Sequence, residues 1–153
     1  MVGAAIPAET MPGAVFVEAE PWGGPEPILL VEDEGFVRNV TAEVLESVGY
    51  KLVIARSGGE ALDAYRQLSK PVDLLLADVV MPGMSGRDLA AEFESLCPRA
   101  RVLLMSGDAA QLATCQVSPY GQTYLAKPYS VRMLLKKVRE VLDANPFDSG
   151  ALA

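Results

Sequence analysis

No histidine occurs among the 153 residues. That excludes Ser-His and Cys-His nucleophilic mechanisms, histidine metal sites and any role as a phosphohistidine donor. Cysteine is nearly absent as well. Cys97 and Cys115 have no zinc-motif spacing and form no disulfide framework, so they read as free thiols of a reducing cytoplasm. No apolar stretch reaches the ~18 residues that a bilayer span requires, and the N-terminus lacks the basic region of a secretory signal. The expected location is therefore cytoplasmic, with no membrane insertion. Basic residues are in deficit, 13 Lys+Arg against 20 Asp+Glu, for a net charge of −7. Direct DNA binding is not expected, because nucleic-acid modules carry a basic surface. The chemistry left to this chain uses carboxylates, hydroxyls and lysine.

Half of the residues are hydrophobic, and the length suits one compact domain. Residues 1–27 stand apart, with five prolines, four glycines, four glutamates and no basic residue. They read as a flexible acidic extension, in which Ala14-Val15-Phe16-Val17 and Trp22 are the segments able to dock on the domain or on a partner. With those four glutamates set aside, sixteen acids face thirteen bases over the remainder, a net charge of −3. The domain is expected over 28–145, with a short tail over 146–153.

From Ile28 onward, apolar runs alternate with helical patterns. Val37, Val40, Val44 and Val48 recur at helical spacing before Gly49, a natural helix stop. Leu52–Ala55 reads as a strand, and Ser57-Gly58-Gly59-Glu60 has capping-box form ahead of Ala61, Leu62, Tyr65 and Leu68. Ser85 and Asp88 open a further helix with Leu89, Phe93 and Leu96 inward. A short helix is expected around 109–117, ended by Pro119. The last helix carries Val131, Leu134, Leu135, Val138, Val141 and Leu142 on one face and Arg132, Lys136, Lys137 and Arg139 outside. Five strands alternating with five helices predict a doubly wound parallel α/β sheet.

Chemistry-bearing residues stand at the ends of four of the apolar runs. Glu32-Asp33 follow Ile28–Val31, Asp78 follows Leu74–Ala77, Ser106 follows Val102–Met105, and Lys127 follows Thr123–Ala126. In an open parallel sheet, ligands bind beyond the carboxyl ends of the strands. The fold would gather three carboxylates, a hydroxyl and an ammonium at one edge, a set suited to a phosphoryl group and a hard cation.

With these motifs in order, Leu-Leu-Val-Glu-Asp-Glu, Leu-Leu-Ala-Asp-Val-Val-Met-Pro-Gly-Met-Ser-Gly, Leu-Met-Ser-Gly and Leu-Ala-Lys-Pro-Tyr-Ser, the chain from about Ile28 to Ala144 resembles a response-regulator receiver domain of two-component signalling. The resemblance implies a flavodoxin-like five-stranded fold, and its wording is similar to receivers of hybrid histidine kinases. It makes Asp78 the phosphoacceptor, whose carboxylate attacks the phosphorus of a partner's phosphohistidine. It makes Asp33 a metal-binding acid with Glu32 as the second acidic position, and implies Mg²⁺ held by Asp33, Asp78 and the Val80 backbone carbonyl, with Glu32 in reach through water. Glu32 departs from the commoner double aspartate.

By the same resemblance, Ser106 contacts the phosphoryl group and Lys127 stabilises its charge. Tyr124 matches a switch aromatic that turns into the space released when Ser106 moves. Lys127-Pro128 is a candidate cis peptide. Val80 and Asp108 occupy the positions that help or hinder the hydrolytic water, and Val80 implies slow self-dephosphorylation. The first helix, with Arg38 and Asn39, lies where receivers meet their phosphodonors.

The expected function is that of a phosphoacceptor receiver served by a histidine kinase or histidine phosphotransfer protein. Its catalysis is confined to its own aspartyl phosphate, and its output is contact with a downstream protein target. Alternatives within signalling are a phosphorelay shuttle, a phosphate sink or the receiver piece of a hybrid kinase. From another class comes a degenerate receiver that only binds partners. A flavin or nucleotide binder fits poorly, because Glu32-Asp33-Glu34 would repel a bare phosphate.

Overall fold

The computed structural model describes residues 22–68, 70–107 and 122–144. Five strands, β1 (Pro27–Val31), β2 (Lys51–Ala55), β3 (Leu74–Asp78), β4 (Arg101–Ser106) and β5 (Gln122–Ala126), form one sheet in the order β2-β1-β3-β4-β5. Every pairing is parallel. The chain moves outward from β1 to β2, then crosses back to β3 on the other side. The winding direction therefore reverses between β1 and β3, the kind of crevice where doubly wound sheets bind ligands. Four described helices, α1 (Gly35–Ser47), α2 (Gly58–Arg66), α3 (Gly86–Leu96) and α4 (Val131–Asp143), complete the expected α/β architecture. The helix expected around 109–117 lies outside the described residues.

Strand side chains alternate between two cores, as the two-residue pleat requires. On one face Leu29, Val31, Leu75, Ala77, Val102 and Leu104 meet Ala61 and Leu62 of α2 and Leu89, Ala90 and Phe93 of α3. On the other, Ile28, Leu30, Leu74, Leu76, Leu103 and Met105 meet Ala42 and Leu45 of α1 and Leu134, Leu135, Val138 and Val141 of α4. Strands buried on both faces read as continuous apolar runs, which is why β1, β3 and β4 stand out in the sequence.

The buried face of α1 differs from the valine stripe. Thr41, Ala42 and Leu45 are buried, whereas Val40 is exposed and Val44 and Val48 only flank the core. Periodicity points Leu68, Leu96 and Val131 inward, yet they too are exposed. Leu96 and Val131 are end residues of α3 and α4, and Leu68 lies just past α2, where the helices have left the sheet. Cys97, one residue beyond α3, is buried in place of Leu96.

The caps explain where the helices begin. Ser57 Oγ accepts the Glu60 amide at 3.1 Å and Ser85 Oγ the Asp88 amide at 3.1 Å. Ser130 Oγ does the same for Met133 at 3.0 Å. The Glu60 carboxylate reaches back, but to the amide of Arg56 at 2.6 Å rather than that of Ser57. The helix stop at Gly49 has φ of 105°.

Of the segments singled out before the first strand, Trp22 packs beside the α1/α4 core, with the Arg132 guanidinium 5.2 Å from its ring centroid. Arg139 donates to the Gly23 carbonyl at 2.9 Å and to both Glu26 oxygens at 3.0 and 2.6 Å. Ala14–Val17 lie outside the described residues. Among the described residues no helix is long and apolar enough to cross a membrane.

Candidate functional site

The site is assembled at the carboxyl edge of the sheet by strand register. Val31 pairs with Ala77, so Glu32-Asp33 emerge beside Asp78. Asp78 pairs with Met105 and Ser106 with Ala126, which brings Ser106 and Lys127 to the same edge. Two backbone bonds fix that edge: the Val79 amide donates to the Met105 carbonyl at 2.8 Å, and the Lys127 amide to the Ser106 carbonyl at 2.8 Å. Buried central strands thus hold the polar groups on rigid supports.

Glu32, Asp33 and Asp78 each place a carboxylate oxygen within 4.8 Å of the other two. Lys127 Nζ lies 3.0 Å from Asp78 Oδ1 and 3.6 Å from Glu32 Oε1. Glu32 is 1% exposed. Its Oε2 accepts the Glu34 amide at 3.2 Å, while among the described residues its Oε1 has no hydrogen-bond partner and is met by the longer ion pair to Lys127.

Burial raises the Glu32 carboxyl above the usual range; the Glu34 amide opposes this, and the charge of Asp78 adds to it. Burial likewise raises Asp78, against the hydrogen bond and charge of Lys127. For Lys127 burial works against the ammonium, but its bond to Asp78 and the two carboxylate charges prevail and raise it. One ammonium among three carboxylates leaves the cluster short of positive charge. A hard divalent cation fits this donor set, which is all oxygen, carries excess negative charge and includes one buried unpartnered carboxylate oxygen.

Ser106 is buried at the end of β4. Tyr124 is half-buried and packs against the α2/α3 core, and it pairs with Leu104 across β4 and β5. By the pleat, Ser106 and Tyr124 share one sheet face, offset by two residues. The Val80 side chain is 62% exposed on the loop after β3. The Lys127-Pro128 bond is cis. Asp108 lies outside the described residues.

Two contributions were not legible as site residues. Gly86, at the start of α3, packs so closely that a Cβ there would sit 2.2 Å from the Asp78 carbonyl oxygen. Tyr129 donates from its hydroxyl to Met105 Sδ at 3.3 Å, and the buried Thr41 packs near it. Burial raises the phenol, partly offset by a hydrogen bond with Thr41. Arg38, which the sequence already placed on the first helix near the site, donates to the Glu32 carbonyl at 3.0 Å, tying α1 to the acidic pair. The only sequence signals are a glycine straight after an N-cap serine and a threonine within a valine stripe.

The sequence profile of the response regulator receiver domain family matches residues 28–139. The sensor kinase CckA of Brucella abortus (strain 2308) is 36% identical over 123 residues, covering 78% of this chain and 13% of that protein. The response regulator receiver protein CpdR of the same strain is 31% identical over 118 residues, covering 76% of this chain and 97% of that one. Among solved structures, the receiver domain from the hybrid histidine kinase CckA matches at a TM-score of 0.65 and 35% identity, covering 76% of this chain and 99% of that one. A CheY-like receiver domain protein from Methanospirillum hungatei JF-1 gives 0.70 at 27% identity, with coverages of 85% and 100%. The chain thus spans about an eighth of the sensor kinase and nearly all of CpdR.

Proposed function

We propose that this chain, which belongs to the response regulator receiver family, takes a phosphoryl group onto Asp78 from the phosphohistidine of a histidine kinase or histidine phosphotransfer protein. The family consists of two-component signalling modules. The observation that carries the assignment to Asp78 is its position among two further carboxylates within 4.8 Å, with an ammonium at 3.0 Å.

In this reading one oxygen of the Asp78 carboxylate attacks phosphorus. The P–N bond breaks, its electron pair stays on the imidazole nitrogen, which takes a proton, and an aspartyl phosphate remains. Lys127 follows the charge from the carboxylate to a phosphoryl oxygen, and the Ser106 hydroxyl donates to another. Glu32, Asp33, Asp78 and the Val80 carbonyl would hold Mg²⁺, which supplies positive charge against the phosphoryl oxygens when bound. Tyr124, on the sheet face of Ser106, reports the modification by changing its packing. The signal leaves through contact with a protein target in the cytoplasm.

The test is incubation with acetyl phosphate or phosphoramidate, with and without Mg²⁺, followed by intact mass. A Mg²⁺-dependent gain of one phosphoryl group, absent in Asp78→Asn, is expected. No gain from small donors or from a panel of phosphorylated kinases would leave a module that only binds partners. A phosphorelay role is favoured by the 36% identity to the sensor kinase CckA. It predicts that the phosphoryl group passes on to a histidine phosphotransfer protein.

A further inference from the structure

A phenol hydroxyl lies behind the acidic cluster, close enough to feel the charges of Lys127, Glu32 and Asp78. It belongs to Tyr129, two residues past Lys127 and just before Ser130, the N-cap of α4. The ring packs against the core shared by α1, α4 and the central strands. Its hydroxyl donates to Met105 Sδ at 3.3 Å and is hydrogen-bonded to Thr41. A phenol has a single proton, so with that proton on sulfur Thr41 is the donor in the second bond. The bonds therefore run from α1, through the loop between β5 and α4, to β4. Thr41 and Met105, at the two ends, are both buried.

Packing alone does not call for this hydroxyl, since phenylalanine would fill the same ring position without a polar atom. A thioether is a weak acceptor, so the bond to Met105 returns little of the cost of burying a hydroxyl. What such a chain supplies is direction, because a satisfied buried network rigidifies the segments it joins. The segments joined here are those that carry the site. Met105 immediately precedes Ser106 on β4. Thr41 lies one turn beyond Arg38, whose guanidinium donates to the Glu32 carbonyl at 3.0 Å. Lys127 has its amide on the Ser106 carbonyl at 2.8 Å and its ammonium 3.0 Å from Asp78 Oδ1, at the end of a long flexible stem. The amide holds Lys127 to β4, and Tyr129 holds the chain on its other side.

We propose that the Tyr129 hydroxyl is a positioning group: held between Thr41 and Met105, it fixes the backbone that carries Lys127 and so keeps the ammonium on Asp78. Tyr129 acts through Lys127 and takes no part in bond making. A displacement of α1 reaches Lys127 through Thr41, which puts the seating of the ammonium under the control of that helix. The expected effect on rate rests on the phosphoryl reading of Asp78, whereas the seating of Lys127 is independent of it.

The test compares the full chain with Tyr129→Phe, Thr41→Val and the two together, by phosphoryl gain from phosphoramidate with Mg²⁺ and by amide hydrogen exchange. Each single change should lower the rate at saturating donor about 5–10-fold, with the half-saturating donor concentration and the Mg²⁺ Kd unchanged. The double variant should lose no more than Tyr129→Phe, because both changes break the same chain. In Tyr129→Phe the Lys127 amide should exchange at least about threefold faster relative to those of Leu30 and Leu76 in the central strands, whereas a general loss of stability would speed all of them together. Parent rates in both single variants would overturn the proposal. So would a slower reaction in which the Lys127 amide still exchanges in step with the strands. A parent that takes up no phosphoryl group defeats the Asp78 reading instead, and exchange at the Lys127 amide then decides the positioning role by itself.

Discussion

The Lys127 ammonium stands 3.0 Å from Asp78 Oδ1, and this contact is the main neutralisation available inside a cluster of three carboxylates. Truncating it strands charge in a half-buried site. Lys127→Ala should lower stability at pH 7 by about 1–3 kcal/mol, read from the urea midpoint. Because Asp78 and Glu32 both have raised carboxyl groups, they protonate early as pH falls, and the penalty should shrink toward pH 4. A loss independent of pH would mean that Lys127 contributes packing rather than charge. Phosphoryl gain from small donors should fall roughly 10²-fold.

Asp78→Asn should stabilise the metal-free protein. A carboxyl whose folded value lies above its unfolded value adds nothing at low pH, where both states are protonated. It costs stability as pH rises through the unfolded value and toward the folded one. The variant should therefore gain about 0.5–2 kcal/mol at pH 7 and nothing near pH 3. Mg²⁺ should close that gap from the other side. At tenfold excess over its Kd, binding stabilises the parent by about 1.4 kcal/mol. The parent's melting temperature should rise with Mg²⁺ and that of Asp78→Asn much less, as thermal melts would show.

The Arg139–Glu26 pair makes the opposite prediction with pH. Its Arg139 hydrogen bond holds the Glu26 carboxyl below the usual range, more than offsetting burial. A lowered carboxyl contributes stability that is fully present above the unfolded value and lost as pH falls through the folded one. Glu26→Gln should cost about 1 kcal/mol at pH 7 and less below pH 4. Arg139→Met should cost more, about 2 kcal/mol, since the Gly23 carbonyl, Glu26 and Asp143 all lose their donor. Urea unfolding of both variants across pH checks the order.

Two glycines at helix starts should respond with opposite signs. A Cβ on Gly86 would sit 2.2 Å from the Asp78 carbonyl, a backbone atom that cannot rotate away. Gly86→Ala should cost about 1–3 kcal/mol or more and slow phosphorylation by shifting Asp78. Gly59 is exposed on α2, and a Cβ there would meet nothing within 4 Å. Gly59→Ala should gain about 0.5–1 kcal/mol through helix propensity and leave phosphorylation unchanged. Urea midpoints of the two variants, read beside their phosphoryl gain, check both signs.

The strands were legible because burial on both faces removes polar residues from them, and β3 is apolar from Leu74 to Ala77 before Asp78 ends it. The site followed from the same fact, since a polar group closing an apolar strand has no partner except across the sheet edge. Helical faces were less legible. Periodicity chooses Val37, Val40, Val44 and Val48, while packing buries Thr41, Ala42 and Leu45. Neighbouring positions differ by about 100° around the helix, and a valine stripe beside an alanine and a leucine gives no unique centre. Gly86 and Tyr129 escaped because close backbone approach and side-chain packing across distant segments leave no local pattern. The seat of Trp22 escaped for the same reason, since Arg132 is more than a hundred positions away in sequence.

The proposed aspartyl phosphate should be long-lived, because valine stands at position 80, two residues beyond Asp78. Val80 is 62% exposed on the loop after β3. An isopropyl group can neither donate to nor accept from a water approaching phosphorus, so it should give that water no help. Val80→Asn adds an amide able to do both without touching the buried strand, so the fold should be unaffected. Hydrolysis should accelerate several-fold, because placing a nucleophilic water converts part of its lost freedom into rate. The measurement is loss of the phosphoryl mass from protein first modified with phosphoramidate and then freed of donor. An unchanged decay would move control of the lifetime elsewhere, with Lys127 the next position to vary: if its ammonium governs departure of the phosphoryl group, Lys127→Arg should alter the decay where Val80→Asn does not.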